Sequence, residues 1–184
     1  LSAVFKSQLP KMEKTEFMVA SQSLGESAAP IMITQSEYMR RMKEMATIQA
    51  GMSFYGEMPD MFNLVLNSDH VLIKEVLSNE EAACASEVAA IQSEIKDAEE
   101  QRDKLSKQQE GKKDEEISVA EKDELEAKNK QVEALKSKKN DVYTRFANDN
   151  KVVKQLIDLA LLQNGMLKGE ALNNFVKRSI EMIK

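Results

Sequence analysis

Along residues 36 to 45, SEYMRRMKEM, methionine recurs every three positions while arginine, lysine and glutamate fill the gaps. That spacing predicts a helix carrying Met39, Met42 and Met45 on one flank, with Tyr38 and Ile48 extending the apolar stripe at its ends. Strand-like runs flank it at 15 to 22 (TEFMVASQ) and 30 to 34 (PIMIT), joined by the turn LGESAA, and a third follows at 62 to 67 (FNLVLN). Thr34 and Glu37 have the spacing of a capping box for the methionine helix. Asn67, Ser68 and Asp69 offer caps for a short helix, HVLIKEVL.

From about Ser78 the pattern changes. Ser78 and Glu81 are spaced as a second capping box, after which Val88, Ile91, Ile95, Ala98 and Leu105 recur at three- and four-residue steps, interrupted by Arg102. The run EGKKDEEI reads as a loop, and Ser118 with Glu121 opens a return helix. On that helix Leu125, Val132, Leu135, Val142 and Phe146 face one way, with Asn129 and Lys139 at intervening positions of the seam. Two antiparallel helices of this length would each run roughly 40 Å and meet along one narrow apolar line. About half of residues 86 to 141 are charged, no proline follows Pro59, and no aromatic residue stands between Phe62 and Tyr143, as a charged helical hairpin requires.

The pattern changes once more in DNKVVKQLIDLALLQNG, with Asp149 as the expected cap and Gly165 as the stop. Val152, Val153, Leu156, Ile157, Leu159, Ala160, Leu161 and Leu162 surround nearly the whole circumference, and such a helix needs cover on every side. A final helix supplies one wall through Leu172, Phe175, Val176, Ile180 and Ile183. A second copy of the chain is the simplest cover for the rest. The fold expected is α+β: a small mixed αβ layer, a long helical hairpin, and a C-terminal helix pair that dimerises.

Composition narrows the chemistry. A net charge of −5 over 184 residues gives no basic face for nucleic acid, and no apolar run is long enough to span a membrane. Cys84 is the only cysteine and, among alanines, reads as a small packed residue; a reducing compartment suits it. His70 is the only histidine and stands beside Asp69 at a helix start, which predicts a cap or packing role. With no P-loop, no dinucleotide glycine fingerprint and no set of metal-ligand spacings, the sequence predicts no catalytic, cofactor or metal site. Seven of the eleven methionines lie between Met32 and Met61, a concentration of the most adaptable apolar side chain that suits either an irregular core or a surface meeting varied partners. Opening on Leu1, the sequence reads as a piece of a longer protein.

Three segments, IMITQSEYMRRMKEM, MSFYGEMPDMFNLVLNSDH and DNKVVKQLIDLALLQNGMLKGEALNNFVKRSIEMI, closely resemble the C-terminal domain of the ninety-kilodalton heat-shock chaperones. The resemblance covers 1 to 85 and 145 to 184 and leaves 86 to 144 as an inserted hairpin. It implies a homodimer formed through Val152, Leu156, Leu159, Leu162, Leu172, Phe175, Val176 and Ile180. It also implies a surface for unfolded client proteins at Tyr38, Met39, Met42 and Met45, and a cytoplasmic setting. ATP and Mg would belong to an N-terminal domain outside these residues, and no nucleic acid or membrane partner is implied. A structural tether, with the hairpin as its binding element, is the competing expectation.

Overall fold

The computed structural model describes residues 1–48, 58–110 and 117–183. The elements are α1 (Ser2–Ser7), β1 (Thr15–Gln22), β2 (Ile31–Gln35), α2 (Glu37–Ala46), β3 (Asp60–Asn67), α3 (Val71–Gln109), α4 (Val119–Asp149), α5 (Lys151–Gln163) and α6 (Gly169–Ile183). This is an α+β fold. β3 lies in the middle of the sheet, parallel to β1 with Thr15 opposite Asp60, and antiparallel to β2 with Ile31 opposite Leu66. Being central, β3 is buried where the outer strands alternate, and Leu64, Val65 and Leu66 are all within the core. β1 has the predicted bounds, β2 is displaced by one residue, and β3 starts two residues early because Asp60 already pairs with Thr15.

One buried cluster joins the sheet to the helices. It runs from Val4 and Phe5 through Ile31, Ile33, Leu64 and Leu66 to Ile73 and Val76, and closes on Val153, Leu156, Ile157, Ala160, Leu161 and Leu167. Beneath it, the loop after β1 is held by a buried amide. Asn67 has no exposed surface; its Oδ1 accepts from the Leu24 and Asp69 amides, and its Nδ2 donates to the Gly25 and Ala28 carbonyls. Asp69 accepts from the Ser23 hydroxyl at 2.6 Å and the Gly25 amide at 2.8 Å, contacts that hold its carboxyl below the usual range. Gly25 takes φ +86°, open to it because it has no Cβ.

The helix ends correct several sequence expectations. α2 starts at Ser36 with no side-chain cap, so Thr34 and Glu37 form no capping box; Glu37 is drawn to Arg40 and Arg41 instead. Asn67, Ser68 and Asp69 do not cap α3, since His70 does so by accepting from the Leu72 amide at Nδ1. No helix begins at Ser78: α3 is one continuous 39-residue helix, about 58 Å long, whose first turns bury Ile73 and Val76 in the main core. Asp149 is the last residue of α4, and Asn150 beside it caps α5 by accepting from the Val152 and Val153 amides. The Ser118–Glu121 capping box forms as expected, and α5 does stop at Gly165, which takes φ +66°.

α3 and α4 pack along the predicted line. Ile91, Ile95, Ala98, Val132 and Val142 are buried, while Val88, Leu105, Leu125, Leu135 and Phe146 are half-buried. Cys84 lies in this seam, and burial raises its thiol pKa, so it is held as the protonated thiol. Asn129 is exposed rather than in the seam; Lys128 crosses to Gln101 and Lys139 to Gln92, both at 2.7 Å. Of the loop EGKKDEEI, residues 111 to 116 lie outside the described residues.

Replacing Asn67 by Ala strands the Leu24 and Asp69 amides and two carbonyls. Urea unfolding should show a loss of about 2 to 3 kcal/mol, the order expected for buried groups left without partners, with little change in the slope.

Candidate functional site

Two surfaces gather the residues singled out by the sequence. The first is α2, none of whose residues is buried. Its polar flank carries a ladder in which Glu37 pairs with Arg40 at 2.9 Å and Arg41 at 2.8 Å, and Arg40 also reaches Glu44. Arg40 first, then Arg41, holds the Glu37 carboxyl below its usual range. Lys43 ties the helix to the sheet by donating to Asp60 Oδ1 at 2.8 Å, an oxygen that Gln35 also approaches. Tyr38 is 61% exposed and Met45 39%, while Met39 and Met42 are half-buried. Among the described residues, none of the four belongs to either buried cluster. The stripe is therefore formed, with Tyr38 and Met45 on the surface of the single chain and Met39 and Met42 partly covered.

The second surface is the outer side of α5 and α6. The eight residues expected together divide into two sets. Leu156 is buried in the core cluster, and Val152, Leu172 and Phe175 pack half-buried against it. Leu159, Leu162, Val176 and Ile180 are exposed, as are Met182 and Ile183 on the same terminal helix. The apolar circumference of α5 is thus covered on one side by its own chain, and its other side is open.

The α5–α6 pairing depends on residues that the sequence reading missed. Asp158 is 3% exposed, and its Oδ2 accepts from Arg178 Nη2 at 2.6 Å while Lys154 stands 3.2 Å from Oδ1. Arg178 Nε also donates to Gln155 Oε1 at 2.8 Å, Gln155 Nε2 donates to Ser179 Oγ at 2.6 Å, and that hydroxyl donates to the Phe175 carbonyl. Since α6 buries no residue completely, this ladder fixes its rotation and depth more sharply than apolar contact alone. The signal in the sequence was one acid amid the apolar run 156 to 162.

Among the described residues no three His, Cys, Asp or Glu side chains come together as a metal-binding group, and no helix is long and apolar enough to cross a membrane. No family model matches the sequence, and no solved structure matches it. The relatives found by sequence are molecular chaperones. Chaperone protein HtpG of Bacteroides fragilis strain ATCC 25285 is 69% identical over 183 residues, covering 100% of this chain and 27% of the relative. HtpG of Bacteroides thetaiotaomicron is 66% identical over the same span, and HtpG of Porphyromonas gingivalis ATCC 33277 is 46% identical over 185 residues. The likeness runs along the whole chain, which matches a fragment of these HtpG chaperones; the chain spans 27% of the length of the relatives it matches. Because the match covers the whole chain, residues 86 to 144 fall inside it.

Changing Arg178 to Met leaves Asp158 buried with Lys154 as its remaining cation. Stability should fall by about 2 to 3 kcal/mol, less than the roughly 3 to 5 of a fully orphaned buried charge. Amide exchange should quicken in α6 and leave β3 unchanged.

Proposed function

We propose that the chain serves as the dimerisation and client-contact region of an ATP-dependent molecular chaperone. The likeness to HtpG supports the chaperone reading, and the exposed apolar side of α5 and α6 carries the dimer. Leu159, Leu162, Val176 and Ile180 would meet their counterparts across a two-fold axis, a self-complementary arrangement that closes after two copies. Leu156, buried at home, would support that surface rather than form it. An interface of this kind buries about 1,200 to 2,000 Å² in total.

Client contact belongs to α2. An unfolded segment presents irregular apolar groups, and the flexible thioethers of Met39, Met42 and Met45 adapt to them while Tyr38 offers a flat ring with a polar tip. The ion pairs on the opposite flank keep the helix hydrated and ordered. Two copies in one dimer would bind a long client at two points, so each contact can be weak. ATP hydrolysis is assigned to parts of the full protein outside this chain.

Leu159→Asp together with Leu162→Asp should preserve the fold, because both side chains are exposed, and should yield monomers in light scattering. An unchanged dimer mass would overturn the dimer assignment. Met42→Ser with Met45→Ser should leave thermal stability nearly unchanged while capture of an unfolded protein by the full-length chaperone falls. A loss of about 2 to 5 kcal/mol, as in large-to-small core changes, would instead show that these methionines are core.

A further inference from the structure

We propose that Met39, Met42 and Met45 are sites of reversible sulfoxidation, by which peroxide lowers the apolarity of α2 without unfolding it. The inference rests on the reading of α2 as a client surface and adds its chemical regulation. Three observations carry it together. The thioethers stand on a helix with no fully buried residue, with Met45 39% exposed and Met39 and Met42 half-buried but, among the described residues, outside both buried clusters. Met12 and Met166, likewise half-buried, differ in packing against the main cluster. Finally, the ion pairs of α2 involve no sulfur: Glu37 with Arg40 and Arg41 and Arg40 with Glu44 within the helix, and Lys43 with Asp60 of the sheet. Oxidising the stripe therefore changes what the helix offers and leaves these ion pairs intact.

The chemistry balances with a peroxide as the oxidant. The thioether sulfur attacks one peroxide oxygen and the O–O bond breaks; that oxygen stays on sulfur as S=O, and the other leaves as hydroxide that takes up the transferred oxygen's proton to become water. Sulfur is oxidised by two electrons and peroxide is reduced by two. In reverse, two thiols supply two electrons, and sulfoxide becomes thioether, water and a disulfide. The side chain keeps nearly its length but gains a strong hydrogen-bond acceptor, which is costly to bury against an apolar client group. A soft adhesive flank thereby becomes a wet one.

The test uses the full chain, graded hydrogen peroxide quenched with catalase, and labelled, reduced and carboxymethylated lactalbumin as a permanently unfolded client. Peptide mass mapping should show Met45 gaining oxygen first within α2 and Met39 and Met42 next, all at least about threefold ahead of Met12 and Met166. Client capture should fall about fivefold at unchanged melting temperature and return after treatment with both methionine sulfoxide reductases and dithiothreitol. The variant Met39→Leu, Met42→Leu and Met45→Leu, compared with its own untreated capture, should lose none of that capture on peroxide treatment, although it still carries the exposed Met18 and Met182. Three results overturn the proposal: equal peroxide sensitivity of that variant, a fall in melting temperature that accompanies oxidation of α2, or no oxygen gained by α2 at doses that modify Met18 and Met182. An untreated chain that captures nothing overturns the client reading and the switch with it, while α2 oxidation is still scored by mass, so the two failures are distinguishable.

Discussion

Burial of one face of α5 is the constraint on which the other elements depend. Val153, Leu156, Ile157, Ala160 and Leu161 occupy the same cluster as Leu64 and Leu66 of the central strand, Val4 and Phe5 of α1, and Ile73 and Val76 at the root of α3. A three-stranded sheet has too little surface to bury itself, and in this chain α5 supplies the missing layer. Once its inner face is committed, the opposite face of an almost wholly apolar helix must be exposed. The open side at Leu159 and Leu162 is the geometric remainder of the core.

Buried polar groups then give this core its register. Asn67 ties the loop after β1 to the end of β3, and Asp158 ties α6 to α5. Both are nearly inaccessible to water, so each restricts its neighbours to the one arrangement that satisfies its hydrogen bonds. Apolar contacts alone would tolerate sliding; these would not.

Periodicity revealed the elements far better than their ends. The alternation of β1, the seam of α3 and α4, and the stripe of α2 were all readable, because each is a repeated pattern that single residues cannot erase. Helix starts were misread wherever several short polar residues competed. Asn67 looks like a cap but is drawn into the loop beneath the sheet, and Ser78 looks like one but lies within a helix already committed to the core by Ile73 and Val76. Of the candidate surfaces, α2 was legible because its stripe is local. The face of α5 was not, since an all-round apolar helix contains no internal sign of which side its own chain will cover. The Asp158 ladder was hidden for a related reason: its partner, Arg178, stands 20 positions away.

The unbroken course of α3 gives the molecule a cantilever. Its root is clamped in the same cluster that holds α5, and its partner α4 ends at Asp149, next to Asn150, whose side chain caps α5. A rod about 58 Å long amplifies angle into distance, so a tilt of about 5° at the clamp sweeps the far end through about 5 Å. Read in the other direction, a load at the tip acts on the core with the full mechanical advantage of that length, and the first residues to feel the torque are those around the start of α5.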